Sequence, residues 1–252
     1  MLNSVRDVTE SYAPPLTLVS NLNMMAVSPF SRSLGQSPQP AEKRIVAIGD
    51  SLVYGFGDPE GGGWVERLRR QWLQPETPGH AIYNLGVRAD TTHRVAQRLV
   101  QEFQTRGEFR NRVPDLILLS VGLNDTCRVG KPDGRPFTEF ALFQAQMLEL
   151  LETAQALCPV MFIGMTPVIE TQMPFAEVLY YNQVDQHRYK EFTKRACEQR
   201  DIPYLDVLDL WHRRGESWWR SRIASDGLHP NVLGYRSLLA DIMDWSAFRS
   251  VL

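Results

Sequence analysis

A serine hydroxyl is a weak nucleophile. It attacks an acyl carbon only with a base beside it, a group that orients the base, and donors for the oxygen that becomes negative. Residues of these types fall in four short segments of this chain: Gly49-Asp50-Ser51-Leu52, Asn84-Leu85-Gly86, Gly122-Leu123-Asn124-Asp125 and Asp226-Gly227-Leu228-His229-Pro230. Five histidines are candidates for the base. His80 precedes an apolar run, and His93 and His187 fall in helix-patterned stretches, so all three read as ordinary histidines. His212 has Asp209 near it but falls in none of the four segments. His229 follows Asp226 by three residues on one tight turn. That spacing lets the carboxylate accept from one ring nitrogen while the other faces Ser51, which fixes the tautomer and stabilises the imidazolium. Three donors are candidates for the oxyanion: the backbone N–H of Ser51, the N–H of Gly86 and the side-chain amide of Asn124.

These residues are far apart in sequence, so the fold must bring them together. Ile45–Ile48 is an apolar run ended by Gly49, with Ser51 on the exit loop. Ala81–Leu85, Leu116–Val121, Val160–Met165 and Pro203–Val207 read as four more strands. Helical spacing of apolar residues predicts helices starting near Trp64, over 91–105 with Asp90 as N-cap, over 138–156, up to about Gln199, and from Pro230 to about Phe248. Strand and helix alternate five times, which predicts one parallel sheet with helices on both faces. Parallel strands share an exit edge, where ligands of open α/β sheets bind. All four segments reach that edge.

The 252 residues, 43% of them hydrophobic, suffice for one α/β domain, expected over 42–252. Residues 1–41 carry no sustained period, and Pro14, Pro15, Asn21 and Asn23 interrupt any signal-like core. They read as a disordered or loosely attached extension, with Met24 or Met25 as an alternative start. A net charge of −2 gives no basis for nucleic-acid binding, and no run reaches transmembrane length. Cys127, Cys158 and Cys197 are isolated and lack metal-site spacing, which fits free thiols in a cytoplasmic, reducing setting. For a substrate pocket the candidates are Trp218 and Trp219, with Phe175, Tyr180 and Tyr181. Arg128, Lys131 and Arg135 are candidates to meet an anionic leaving group. Val53 stands where the second glycine of an α/β-hydrolase GxSxG elbow belongs, and there is no GxxxxGK[ST] loop.

In these four blocks, in this order, the chain resembles the SGNH hydrolases, the GDSL-type lipase and esterase family. Gly49-Asp50-Ser51-Leu52 looks like the first block with Ser51 as nucleophile, Gly86 like the glycine of the second, Gly122-Leu123-Asn124-Asp125 like the third and Asp226-Gly-Leu-His229-Pro like the last. The resemblance implies a flavodoxin-like three-layer α/β/α fold with strand order 2-1-3-4-5. It implies a serine esterase acting on a small-molecule or lipid-like ester through an acyl-enzyme, with no metal and no cofactor. Rival expectations are a carbohydrate or small-metabolite O-deacetylase, a catalytically idle binding protein on the same fold, and, more distantly, a magnesium-dependent phosphoryl-transfer enzyme using Asp50. Oligomeric state has no signal in the sequence.

Overall fold

The structure, a computed structural model, describes residues 42–77, 79–106 and 113–252; the expected extension over 1–41 lies outside the described residues. The described residues begin with β1 (Arg44–Gly49), the short helix α1 (Ser51–Tyr54), α2 (Gly63–Trp72), β2 (Ala81–Gly86) and α3 (Thr92–Gln104). They continue through β3 (Leu116–Ser120), β4 (Arg128–Val129), α4 (Phe140–Leu157), β5 (Val160–Ile163) and β6 (Leu179–Tyr180). Then follow α5 (Gln183–Glu198), β7 (Tyr204–Leu205), α6 (Val207–Arg213), α7 (Glu216–Arg220), α8 (Val232–Asp244) and α9 (Ser246–Arg249).

Five strands form one parallel sheet in the order β2-β1-β3-β5-β7. Counting only these five, the order is 2-1-3-4-5, as the resemblance implies. The short β4 and β6 pair antiparallel in a separate ribbon. Side chains of β1 alternate between two cores, as the strand period of two requires. Ile45 and Ala47 join Trp64 and Leu68 of α2, Trp211 of α6 and Tyr235 and Ile242 of α8. Val46 and Ile48 join Val95 and Leu99 of α3, Phe143 and Leu150 of α4, and Tyr189 of α5. The sheet is therefore covered on both faces, which is why its central strands are almost wholly apolar. A third apolar cluster, including Leu52, Leu123, Met165, Tyr181 and Leu228, lies among the segments that leave the strand exits.

Four local expectations are corrected. Ser51 is not on a loop but is the first residue of α1. Asp50 caps it, its carboxylate accepting from the Leu52 N–H at 2.9 Å. The cap of α3 is Thr91 rather than Asp90, whose carboxylate instead takes the Arg98 guanidinium at 2.8 Å. The last long helix starts at Val232, behind an Asn231 cap, because Pro230 is held in a bridge with Ile223. The helix expected to follow the loop after Thr166 begins only at Gln183, because Leu179–Tyr180 first pair with β4.

Candidate active site

The nucleophile side is built by two close approaches. A Cβ on Gly49 would stand 1.9 Å from the Ser120 carbonyl oxygen, so β1 can leave the sheet there only as glycine. A Cβ on Gly86 would stand 2.0 Å from the Tyr54 nitrogen, so that glycine lets α1 sit against the end of β2. The Ser51 carbonyl accepts from the N–H groups of Gly55 and Phe56, both at 3.0 Å. Gly55 closes α1 at φ 87°, the left-handed region that suits glycine. The Tyr235 hydroxyl donates to the Phe56 carbonyl at 2.9 Å and ties the turn to α8.

The acid–base side is one loop between α7 and α8. The Asp226 Oδ1 accepts from the N–H groups of Leu228 and His229, at 2.9 and 3.0 Å. Its Oδ2 stands 2.7 Å from His229 Nδ1, and His229 Nε2 stands 2.9 Å from Ser51 Oγ. Gly227 takes φ 72° at the tip of this turn, and its carbonyl accepts from the Ile169 N–H at 2.8 Å. Ser51 and His229 are 7% and 4% exposed, so the pair is shielded yet reachable. The His229 ring lies edge-on to Phe56 at 4.5 Å and to Phe175 at 5.5 Å.

Burial pushes the Asp226 carboxyl up, but the His229 ring and the two backbone N–H groups outweigh it and hold the group below the ordinary carboxylate range. Asp50 is the opposite case. Burial dominates there, opposed by the Leu52 N–H and reinforced by Asp125 and Asp90, and its carboxyl is pushed up to about 7. Burial likewise pushes the Cys127 thiol up to about 12, which leaves it a poor nucleophile. All three cysteines are free thiols.

Asn124 is held by its own amide. Its Nδ2 donates one hydrogen to the Asp90 carbonyl at 2.9 Å, and its Oδ1 accepts from the Tyr181 hydroxyl at 3.1 Å. The second Nδ2 hydrogen remains for a ligand. Behind it, Asp125 accepts from the Thr92 N–H, the Thr92 hydroxyl and the Thr138 hydroxyl. The loop after β2 is thereby fixed to the loop after β3.

Ser51, Asn124 and His229 form the floor of a cavity of about 320 Å³, walled by Arg88, Ala89, Phe175, Leu179, Tyr181 and Leu228. Gly86 is not among its lining residues, and its N–H donates to the Asn84 side chain at 3.0 Å. Ala89 is there instead. It sits at φ 64° in a turn closed by the Asp90 N–H on the Val87 carbonyl, 3.2 Å. Among the described residues, neither the Ala89 nor the Ser51 N–H has a protein acceptor. Sequence reasoning missed Ala89 because an alanine in the left-handed region leaves no trace in composition or periodicity. Its place between the end of β2 and the α3 cap was the only available signal.

Trp218 and Trp219 are not in this cavity. Trp219 is buried in the core and stacks with His212 at 5.5 Å, while Trp218 lies under the guanidinium groups of Arg222 and Arg214, at 3.5 and 4.6 Å. Of the other aromatic candidates, Phe175 and Tyr181 line the cavity and Tyr180 does not. Arg128 is committed to Asp185 at 2.6 Å and Lys131 pairs with Asp133; neither they nor Arg135 line the cavity. Glu191, Asp206 and Asp209 converge elsewhere, but Lys190 Nζ already sits among them at 2.7–3.0 Å. No helix among the described residues is long and apolar enough to cross a membrane.

Solved structures share this fold. A catalytic mutant of an acetylxylan esterase from Geobacillus stearothermophilus superposes with a TM-score of 0.62 at 16% identity, covering 81% of this chain and 94% of that one. The lipase/acylhydrolase from Enterococcus faecalis gives 0.59 at 20% identity, covering 79% and 93%. The psychrotrophic esterase EstA from Pseudoalteromonas sp., in a structure inhibited by monoethylphosphonate, gives 0.58 at 16% identity, covering 81% and 96%. No curated protein matches the chain. Residues 47–237, from within β1 into α8, match the GDSL-like lipase/acylhydrolase family, and the chain belongs to that family of ester-hydrolysing enzymes.

Proposed function

We propose that this chain is a serine ester hydrolase in which Ser51, His229 and Asp226 act as one unit. The observation that carries the reading is the unbroken line from Asp226 Oδ2 to His229 Nδ1 at 2.7 Å and from His229 Nε2 to Ser51 Oγ at 2.9 Å. The esterase and acylhydrolase structures of the same fold support it.

Ser51 Oγ attacks the acyl carbon as His229 Nε2 takes its proton. The carbonyl oxygen becomes negative and accepts from the Ser51 N–H, the Ala89 N–H and the remaining Asn124 Nδ2 hydrogen. These donors are already fixed by the α1 turn, the Val87–Asp90 turn and the Asp90–Asn124 bond, so little reorganises as charge develops. His229 returns its proton to the leaving alcohol, and the acyl group stays on Ser51. Water then attacks the acyl-enzyme with His229 again as base. Asp226 keeps Nδ1 protonated and Nε2 free to accept, and its depressed pKa keeps it charged when the imidazolium forms.

A cavity of about 320 Å³ lies at the lower end of ligand-binding volumes, which favours short acyl groups over long lipid chains. The test is a panel of aryl esters of rising acyl length, acetylated sugars and emulsified long-chain lipids. Short-chain or acetyl esters should be cleaved fastest, and Ser51→Ala should abolish the activity. Preferential cleavage of long-chain lipids would overturn the size argument, and Ser51-independent turnover would overturn the mechanism.

A further inference from the structure

We propose that the ester cleaved at this site carries a negatively charged group, a carboxylate or a phosphate, and that Arg88 binds it. The inference rests on the serine-hydrolase reading of the same cavity. Among the described residues, Arg88 is the one arginine or lysine that lines the cavity with Ser51. Its guanidinium carbon lies over the Phe56 ring at 4.0 Å from the centroid, and the same ring touches His229 at 4.5 Å. One aromatic ring therefore sets the spacing between the cation and the base. Among the described residues no carboxylate pairs with Arg88, whose contact there is that ring. Arg98 and Arg128, on elements around the site, are by contrast each held by a carboxylate at 2.8 and 2.6 Å.

The backbone that carries Arg88 is held at several points. The Val87 N–H donates to the Gly49 carbonyl at 3.0 Å, the Asp90 N–H closes the turn at 3.2 Å, and the Asp90 carbonyl accepts from Asn124. The Asp90 carboxylate is fixed by Arg98. Arg88 thus projects from a rigid turn whose next residue, Ala89, offers its N–H to the oxyanion. Stacking occupies the face of a guanidinium and leaves its N–H fork in the ring plane available. Such a fork matches two oxygens of a carboxylate or phosphate. A neutral ester leaves this fork to water. An anionic one replaces the water with a charge-assisted pair beside a shielded site.

The test uses the full-length protein and matched aryl esters. On the acyl side, 4-nitrophenyl hydrogen succinate is compared with its neutral methyl ester. On the alcohol side, 4-acetoxybenzoate and 4-acetoxyphenyl phosphate are compared with neutral 4-acetoxybenzamide, which also separates carboxylate from phosphate. A charge-assisted hydrogen bond is worth enough for at least one anionic substrate to exceed its neutral partner about tenfold in kcat/KM, mostly through KM. High salt should erode that ratio, Arg88→Gln should bring it close to one, and Arg88→Lys should restore part of it. The proposal is overturned if the neutral partners are cleaved as well as every anionic one, or if Arg88→Gln lowers both members of each pair equally. Ser51-dependent cleavage of neutral esters in that event leaves the hydrolase reading standing. If no substrate shows Ser51-dependent cleavage, both readings fall.

Discussion

Ser51 and Arg88 line the same cavity, yet the chain holds them by different means. The floor is fixed by short, directional bonds. Asp226 is satisfied on both oxygens, His229 on both ring nitrogens, and Asn124 at both ends of its amide. The walls are fixed by packing and by backbone turns. Phe175 and Leu179 face each other across an antiparallel bridge, Arg88 rests on Phe56, and Ala89 sits at a strained φ. A floor of this kind tolerates no substitution, because each side chain is held by directional partners at fixed distances. A wall of this kind can change its side chains while its turns persist. The floor's side chains should therefore govern kcat, and the walls' side chains should govern which ester is chosen.

The largest losses are expected at the floor. Ser51→Ala and His229→Ala should each remove nearly all turnover, and the double variant should be little worse than either, because nucleophile and base act in one step. Steady-state kinetics of the three variants decides it; additive losses would show two independent roles. Next in size is Asp226→Asn, expected to cost about 10⁴ in kcat if it behaves as in a protease triad, with the fold intact by circular dichroism. Loss of the fold instead would make Asp226 a turn-former first. Asn124→Ala should follow, at about 10²–10³ in kcat for one lost oxyanion donor. A rise in KM alone would move Asn124 from floor to wall.

The smallest effect lies beneath the floor, at Asp50. Its carboxyl is raised from 3.8 to about 7 by burial, so the native state holds a proton there that the unfolded chain has released. Stability from this group is present below pH 3.8 and is lost as pH rises toward about 7. Asp50→Asn should flatten that part of the stability curve. Denaturant melts at a series of pH values measure it, and an unchanged slope would place the proton elsewhere.

The floor was legible in the sequence and the walls were not. Gly49-Asp50-Ser51-Leu52, Gly122-Leu123-Asn124-Asp125 and Asp226-Gly-Leu-His229-Pro are contiguous, and each leaves a strand or enters a helix at a position that periodicity reveals. The parallel sheet followed from apolar runs such as Leu116–Leu119, and their shared exit edge followed from the sheet. Gly86 was legible as a special glycine, but its reason was different. It makes room for the backbone of α1, and its N–H is turned to Asn84. Trp218 and Trp219 misled because large aromatics near a site-bearing loop look alike whether they face a cavity or a core. Arg88 and Ala89 carried no signal beyond their place between β2 and α3, since a cation–ring contact and a positive φ are made by tertiary placement. The Ser51 helix was likewise missed, because four residues are too short for a period to show.

His229 is held to activate Ser51 as the nucleophile. The most direct measurement is covalent labelling by an organophosphonate ester, read by intact mass and peptide mapping in the wild type and in His229→Ala. One adduct per chain is expected, on Ser51, forming quickly in the wild type and far more slowly without the imidazole. Labelling of another residue, or a rate indifferent to His229, would contradict it.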